Sequence, residues 1–236
     1  MKLTLVGCEY TGKTTLAEGI SKWTDRHHGK GRGFHDHFAM PNHELNEDAK
    51  RHLMSAPPQL KEMFQRFMIA HHLSRDFFIG PDQNFIGFHI EEAVYAPLYY
   101  GYGGEESGAA FRSGEGQRTE MARAAEHELM RLAPDAVLVL LRANPDVIRR
   151  RMREGPHEDQ VIAEKDVEHL LDRFEEEFEA SVMPNKLAFD TSESTPQTTL
   201  DEFLELYDPH WTDADKSSTW AEDRQQQIDR TWASYL

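Results

Sequence analysis

The amino-acid sequence predicts an α/β protein, a three-layer α/β/α sandwich built on a parallel sheet. Three observations predict it. Short apolar runs at residues 2–7, 85–90 and 136–141 are separated by stretches whose apolar residues recur every three or four positions. Strands alternating with helices in this way fold into parallel neighbours covered on both faces. A glycine-bounded loop ending in Lys13-Thr14 stands between the first apolar run and the first helical stretch. Finally, 236 residues without internal repeats suit one large domain, or one domain with an appendage.

In chain order, residues 2–7 alternate and then run apolar into glycine, and a helix follows over 13–28 with Leu16, Ile20 and Trp23 on one side. After the glycine-rich break at 29–33, residues 33–40 read as a short second strand closed by Pro41 and carrying His35, Asp36 and His37. Leu60, Met63, Phe64, Phe67, Met68 and Phe77 mark an amphipathic helix over 58–78, stopped by Gly80-Pro81-Asp82. Residues 85–90 form a buried strand leading to a helix that starts near Glu91, with Ala93, Val94 and Leu98 on one side. The stretch 101–116 keeps neither period and is expected to be a mobile loop.

A helix over 117–132 precedes residues 136–141, the strongest buried-strand signal in the chain. Pro145 opens the next helix at a permitted first-turn position. Arg149, Arg150, Arg151 and Arg153 crowd its end before Gly155-Pro156-His157 breaks it. A long helix over 164–182, a short strand over 186–190 and a helix over 199–207 complete the body. Beyond Asp208-Pro209 the chain turns polar but carries Trp211, Trp220 and Trp232, rings expected to pack back. Residues 1–207 therefore form the domain, with a lid near 149–160, and 208–236 an extension.

A formal charge of −16 repels polyanions except at a local basic pocket, which makes nucleic acid a poor partner. It does not bar a nucleotide held at short range by backbone N–H groups, a lysine and a metal ion. The apolar share of 39% beside 29% charged residues is enough for a core and excludes wholesale disorder. No apolar run has the length of a membrane span, so no membrane partner is expected. A single cysteine, Cys8, and a first strand with no leader before it fit a cytoplasmic protein.

Gly7-Cys8-Glu9-Tyr10-Thr11-Gly12-Lys13-Thr14 matches G-x-x-x-x-G-K-[ST] at every defined position, between a strand and a helix. In such a loop the backbone from Gly7 through Tyr10, Thr11 and Gly12 wraps the β-phosphate of ATP, and Lys13 neutralises β/γ charge. Thr14 offers a hydroxyl to Mg²⁺, and Thr15 opens the helix whose dipole faces the phosphates.

With these residues in order, the chain resembles the nucleoside and nucleotide kinases among P-loop proteins, especially the deoxynucleoside kinase and thymidylate kinase branch. The resemblance rests on the amino-terminal cradle, on Phe64-Gln65-Arg66-Phe67, and on Glu92-Ala93-Val94-Tyr95 after the third strand. It continues through the Arg149 to Arg153 cluster followed by Glu158-Asp159, and Asp190-Thr191-Ser192 at the last strand. It implies a P-loop kinase fold, ATP and Mg²⁺ as cofactors, and a nucleoside or nucleoside monophosphate as acceptor; a homodimer is allowed. It further implies a lid carrying Arg149 and Arg153, which share a helix face, adenine contacts around Asp190 and Thr191, and base reading by Gln65. The plainer account of each arginine is a solvated basic face paired with Glu154, Glu158 or Asp159.

The chain departs from that pattern at one point. Such kinases carry an acid followed by arginine at the end of the third strand, where this sequence has Ile86-Gly87. Neither can act as base or phosphate clamp. Near the end of the second strand, where the resemblance places the carboxylate that accepts the hydroxyl proton, Asp36 is the preferred general base, against the plainer account of a loop carboxylate satisfying backbone N–H groups. Glu92 is a candidate for Mg²⁺ or acceptor binding and ranks ahead of Glu91; both also suit a helix start. Tyr95, with Tyr99, Tyr100, Tyr102 and Phe88, offers rings for stacking on a planar substrate or for the core. The histidine pairs lack zinc-hydrolase spacing, and one cysteine forms no thiolate cluster.

The expected activity is transfer of the γ-phosphate of ATP to a small molecule by positioning and charge neutralisation. The competing expectation is a P-loop ATPase or nucleotide-dependent switch acting on a protein partner. No strand ends in the acidic pair that such a protein uses: 136–141 runs into Arg142-Ala143-Asn144.

Overall fold

The computed structural model describes residues 1–36, 46–75, 82–103, 115–157 and 160–216. Its five strands, β1 (Lys2–Val6), β2 (His35–Asp36), β3 (Gln83–Ile86), β4 (Val137–Arg142) and β5 (Asn185–Asp190), form one sheet in the order β2-β3-β1-β4-β5. All four pairings are parallel. The helices are α1 (Lys13–His28), α2 (Glu47–Ser55), α3 (Pro58–His72), α4 (Phe88–Tyr95), α5 (Glu115–Leu132), α6 (Pro145–Glu154), α7 (Val167–Ala180), α8 (Pro196–Tyr207) and α9 (Asp213–Lys216).

Side-chain alternation along the central strands sorts the core into two layers. Leu3 and Leu5 of β1, with Val137, Val139 and Leu141 of β4, pack against Leu16 and Ile20 of α1 and Phe203 of α8. Val6, Leu138 and Leu140 face the other way, onto Val94 of α4, Leu129 of α5, Ile148 of α6 and Phe174 of α7. The predicted three-layer sandwich is what forms. Because the strand order reverses around β1, the crevice at the carboxyl end of β1 is the place such a sheet offers a ligand.

Three expectations change. The predicted strand over 85–90 ends at Ile86: Gly87 turns the chain at φ 83° and its N–H donates to Leu5 O at 2.7 Å. Helix α4 then begins at Phe88 rather than near Glu91, and all eight of its residues are buried. A continuous apolar run does not separate a buried strand from a buried helix.

The second change concerns α3, which ends at His72 and is turned inside out relative to its amphipathic pattern. Leu60, Met63 and Phe67 are 50%, 62% and 67% exposed, whereas Lys61, Glu62, Gln65 and His72 are buried. The third is the start of α8 at Pro196 rather than residue 199, because Thr195 and Thr198 close a capping box ahead of a first-turn proline.

The strand predicted over 33–40 is paired at His35 and Asp36; residues 37–40, including His37, lie outside the described residues, as do Phe77, Gly80 and Pro81. So do 104–114 of the predicted loop, Glu158-Asp159, Trp220 and Trp232. Trp211 does pack back, 4.9 Å from Tyr207 and 5.9 Å from Trp23 between ring centres. Asp215 beyond it accepts from the Met1 ammonium group, and its carbonyl from Arg32. Among the described residues no helix is long and apolar enough to cross a membrane.

Candidate functional site

The loop leaving β1 needs glycine at its first position: at Gly7 (φ 142°) a Cβ would sit 2.2 Å from Leu141 O of the neighbouring strand. Gly12, at φ 95°, caps α1 in the left-handed region and has open space where a side chain would be. Between them the loop is held from inside. Thr11 Oγ1 donates to Cys8 O at 2.7 Å, and the Cys8 thiol is buried, which pushes it up to about 12. Tyr10 takes a left-handed φ of 66°, a strained choice for a large side chain, and is held from both ends. Its carbonyl accepts from Arg151 at 2.9 Å, and its hydroxyl donates to Gln160 Oε1 at 2.5 Å.

Lys13 reaches back across the loop. Its ammonium donates to Gly7 O at 2.5 Å and Cys8 O at 3.2 Å, and pairs with Glu91 Oε1 at 2.7 Å. Burial opposes the charge on Lys13, yet Glu91, with Cys8 and Glu9, outweighs it and the pKa moves upward. Thr14 and Thr15 are exposed at the open end of the loop. The first-turn amides of α1 point toward that opening, a favourable seat for phosphate.

Beside the loop lies a cavity of about 510 Å³, lined by Tyr10, Thr11, Gly12, Thr15, Arg151 and Thr191 among others. Thr191 is buried and joins three elements: its N–H donates to Arg142 O at 2.8 Å, its hydroxyl to Thr11 O at 2.9 Å, and its carbonyl accepts from Arg151 at 2.6 Å. Asp190, just before it, turns outward and accepts from Ser192 N at 2.9 Å.

Of the arginines on α6, Arg151 faces this cavity. Arg149 pairs with Glu168 and lies 3.6 Å from Asp146, and Arg153 pairs with Glu164 at 2.8 Å while 61% exposed. The packing of the helix accounts for the distinction. Val147, Ile148 and Met152 are its buried residues, and Arg151 follows the first two by four and three positions, on the same face.

A second polar group is buried between α3, α4 and α5. Arg118 donates to Glu92 and, at 3.1 Å, to Glu62, which also accepts from Arg66 at 3.1 Å. Burial pushes the Glu92 carboxyl upward against the pull of Arg118. Gly103 makes room for the guanidinium stem, since a Cβ there would meet Arg118 Cγ at 2.5 Å. One turn along α3 from Glu62, Gln65 is 1% exposed, and among the described residues neither of its amide heteroatoms has a hydrogen-bond partner. Such a group costs about 1–3 kcal/mol.

Tyr95 is buried under the loop, its hydroxyl accepting from Glu9 N at 3.1 Å and its ring edge-on to Phe174. Asp36 stands at the carboxyl end of β2 in register with Ile86; its side chain lies outside the described residues. Glu91 and Glu92 are not solvated helix-start acids: both are buried and each holds a cation. Spacing alone did not single out Arg118, because its partners come from two other helices. Among the described residues no group of three or more histidine, cysteine or acidic side chains is placed to hold a metal ion.

The chain superposes on a deoxyadenosine kinase from M. mycoides with bound dCTP at TM-score 0.54 and 16% identity, covering 89% of this chain and 100% of that one. The likeness is one of fold, a parallel α/β sandwich shared with that kinase. A second structure of that enzyme, with the products dCMP and dCDP, gives TM-score 0.51 at 14% identity, covering 89% of this chain and 99% of the other. A sugar kinase from Janibacter matches at TM-score 0.47 and 14% identity over 88% of this chain and 94% of that one. No family model and no curated protein matches the sequence.

Proposed function

We propose that the chain is an ATP- and Mg²⁺-dependent phosphotransferase whose acceptor is a nucleoside or nucleoside monophosphate. The observation that carries this is the juxtaposition around Lys13. A glycine-bounded cradle, with Lys13 paired to Glu91, opens beside a 510 Å³ cavity; the buried Gln65 amide, with neither heteroatom paired among the described residues, adds a base-reading group one turn along α3 from Glu62. The likeness to a deoxyadenosine kinase solved with dCTP, and with dCMP and dCDP, supports a nucleoside ligand.

The donor set fits the cofactors. Lys13 and the loop amides suit the β- and γ-phosphates, Thr14 presents an exposed hydroxyl for the cation, and the cavity lined by Arg151, Thr191, Thr195 and Pro196 suits adenine. Bound Mg²⁺ would supply charge neutralisation between phosphate oxygens. Arg151, already hydrogen-bonded to the loop, takes the phosphate-facing part expected of Arg149 and Arg153, which remain lid charges at one remove. Gln65 offers a donor and an acceptor to a base edge, with Glu92 oriented by Arg118 as the acidic neighbour. Asp36, at the carboxyl end of the strand beside β3, is the proposed base for the acceptor hydroxyl.

ADP release measured with and without a panel of nucleosides and monophosphates tests this. Acceptor-dependent release is expected. Hydrolysis that ignores every acceptor and responds to a protein partner would overturn it in favour of an ATPase or switch.

A further inference from the structure

Among the described residues the Lys13 ammonium group has three partners: it donates to Gly7 O and Cys8 O and forms an ion pair with Glu91 Oε1 at 2.7 Å. The first two partners belong to the cradle itself. The third comes from α4 and carries the only full negative charge among these three. The seat of that carboxylate is built: at Gly87 a Cβ would come within 2.4 Å of Glu91 Oε2 and 2.7 Å of its Cδ. Gly87 is in turn fixed by its N–H bond to Leu5 O. Any other side chain at 87 would push Glu91 off Lys13, so the glycine at the end of β3 and the glutamate one turn into α4 are two halves of one arrangement.

A phosphate oxygen approaching Lys13 therefore finds the ammonium group engaged by two carbonyls and a carboxylate, and it brings a second negative charge beside a buried first one. Two like charges brought to one buried ammonium group repel each other. We infer that Glu91 is the resident counter-ion of Lys13, and that phosphate enters the cradle by exchange: the incoming oxygen takes the lysine and the Glu91 carboxylate gives it up. This rests on Gly7 to Thr15 being a phosphate cradle. It makes Glu91 a positioning residue that acts through Lys13, holding the ammonium group inside the loop until a polyphosphate displaces it. The ligand class is set by that competition, because a polyphosphate with several anionic oxygens can engage loop amides and lysine together, whereas one carboxylate cannot.

The test is calorimetric titration of the full chain with inorganic pyrophosphate, without divalent cation, for wild type and Glu91→Gln, with folding checked by circular dichroism. Removing the competitor should tighten pyrophosphate binding about tenfold or more. A purely structural role would loosen the cradle and weaken binding instead. Equal or weaker binding by the folded variant overturns the exchange alone; no binding by either protein overturns the exchange together with the cradle. Should the glutamine variant not fold, Glu91→Asp, which withdraws the charge from Lys13, should tighten binding by a smaller factor, and unchanged or weaker affinity there overturns the exchange.

Discussion

Arg151 grips Thr191 by both its carbonyl and its hydroxyl, at 2.6 and 3.2 Å, and the same hydroxyl donates to Thr11 O. Helix α6, the loop after β5 and the glycine-bounded loop after β1 thus share one residue. Arg151→Ala is expected to lower kcat/KM by about 10²–10³-fold, the usual loss for a cation aimed at developing charge. Arg153→Ala, which breaks an exposed pair, should change it less than about threefold. Equal effects in steady-state kinetics would remove Arg151 from the phosphate side.

Lys13→Ala should abolish phosphoryl transfer in a folded protein, since no other cation among the described residues pairs with the loop carbonyls Gly7 O and Cys8 O. Turnover assays beside a circular dichroism spectrum check this. Unchanged turnover would refute the cradle.

Gln65 separates stability from function. Replacing its buried amide by the similarly sized Gln65→Met removes two polar atoms that lack partners among the described residues, so thermal stability should rise by about 1 kcal/mol. The acceptor KM should rise by about 10²-fold as a base-edge contact is lost. A destabilised variant with an unchanged KM would mean that the amide serves the fold.

Glu9 predicts a pH signature. Burial raises its carboxyl from 4.5 to about 7, with Lys13 and the Val161 N–H bond pulling the other way. The folded chain then keeps a proton that the unfolded chain releases, so the contribution of Glu9 to stability is most favourable below about pH 4.5 and declines until about pH 7. The decline is on the order of 3 kcal/mol. Glu9→Gln should flatten that window in chemical denaturation, and an unaltered slope would assign it to other groups.

Much of the fold was legible because periodicity reports burial directly. Helix α1 spans the expected 13–28, and β4 is shifted by one residue from the predicted 136–141 to Val137–Arg142. The amphipathic pattern of α3 misled for a related reason: it records which residues are apolar, not which face the site requires. Its polar face turns inward because Glu62 meets Arg118 there.

By itself the sequence determined a parallel α/β sandwich and a phosphate-type loop at Gly7 to Thr14, since strand and helix periods and a contiguous eight-residue motif are local properties. Only the tertiary structure decided which charges meet. Glu91 rather than Glu92 lies on Lys13, Arg151 rather than Arg149 or Arg153 faces the cavity, and Arg118 crosses from α5 to Glu62 and Glu92. Ion pairs between elements depend on how helices rotate over the sheet, and that rotation is set by packing the two core layers together.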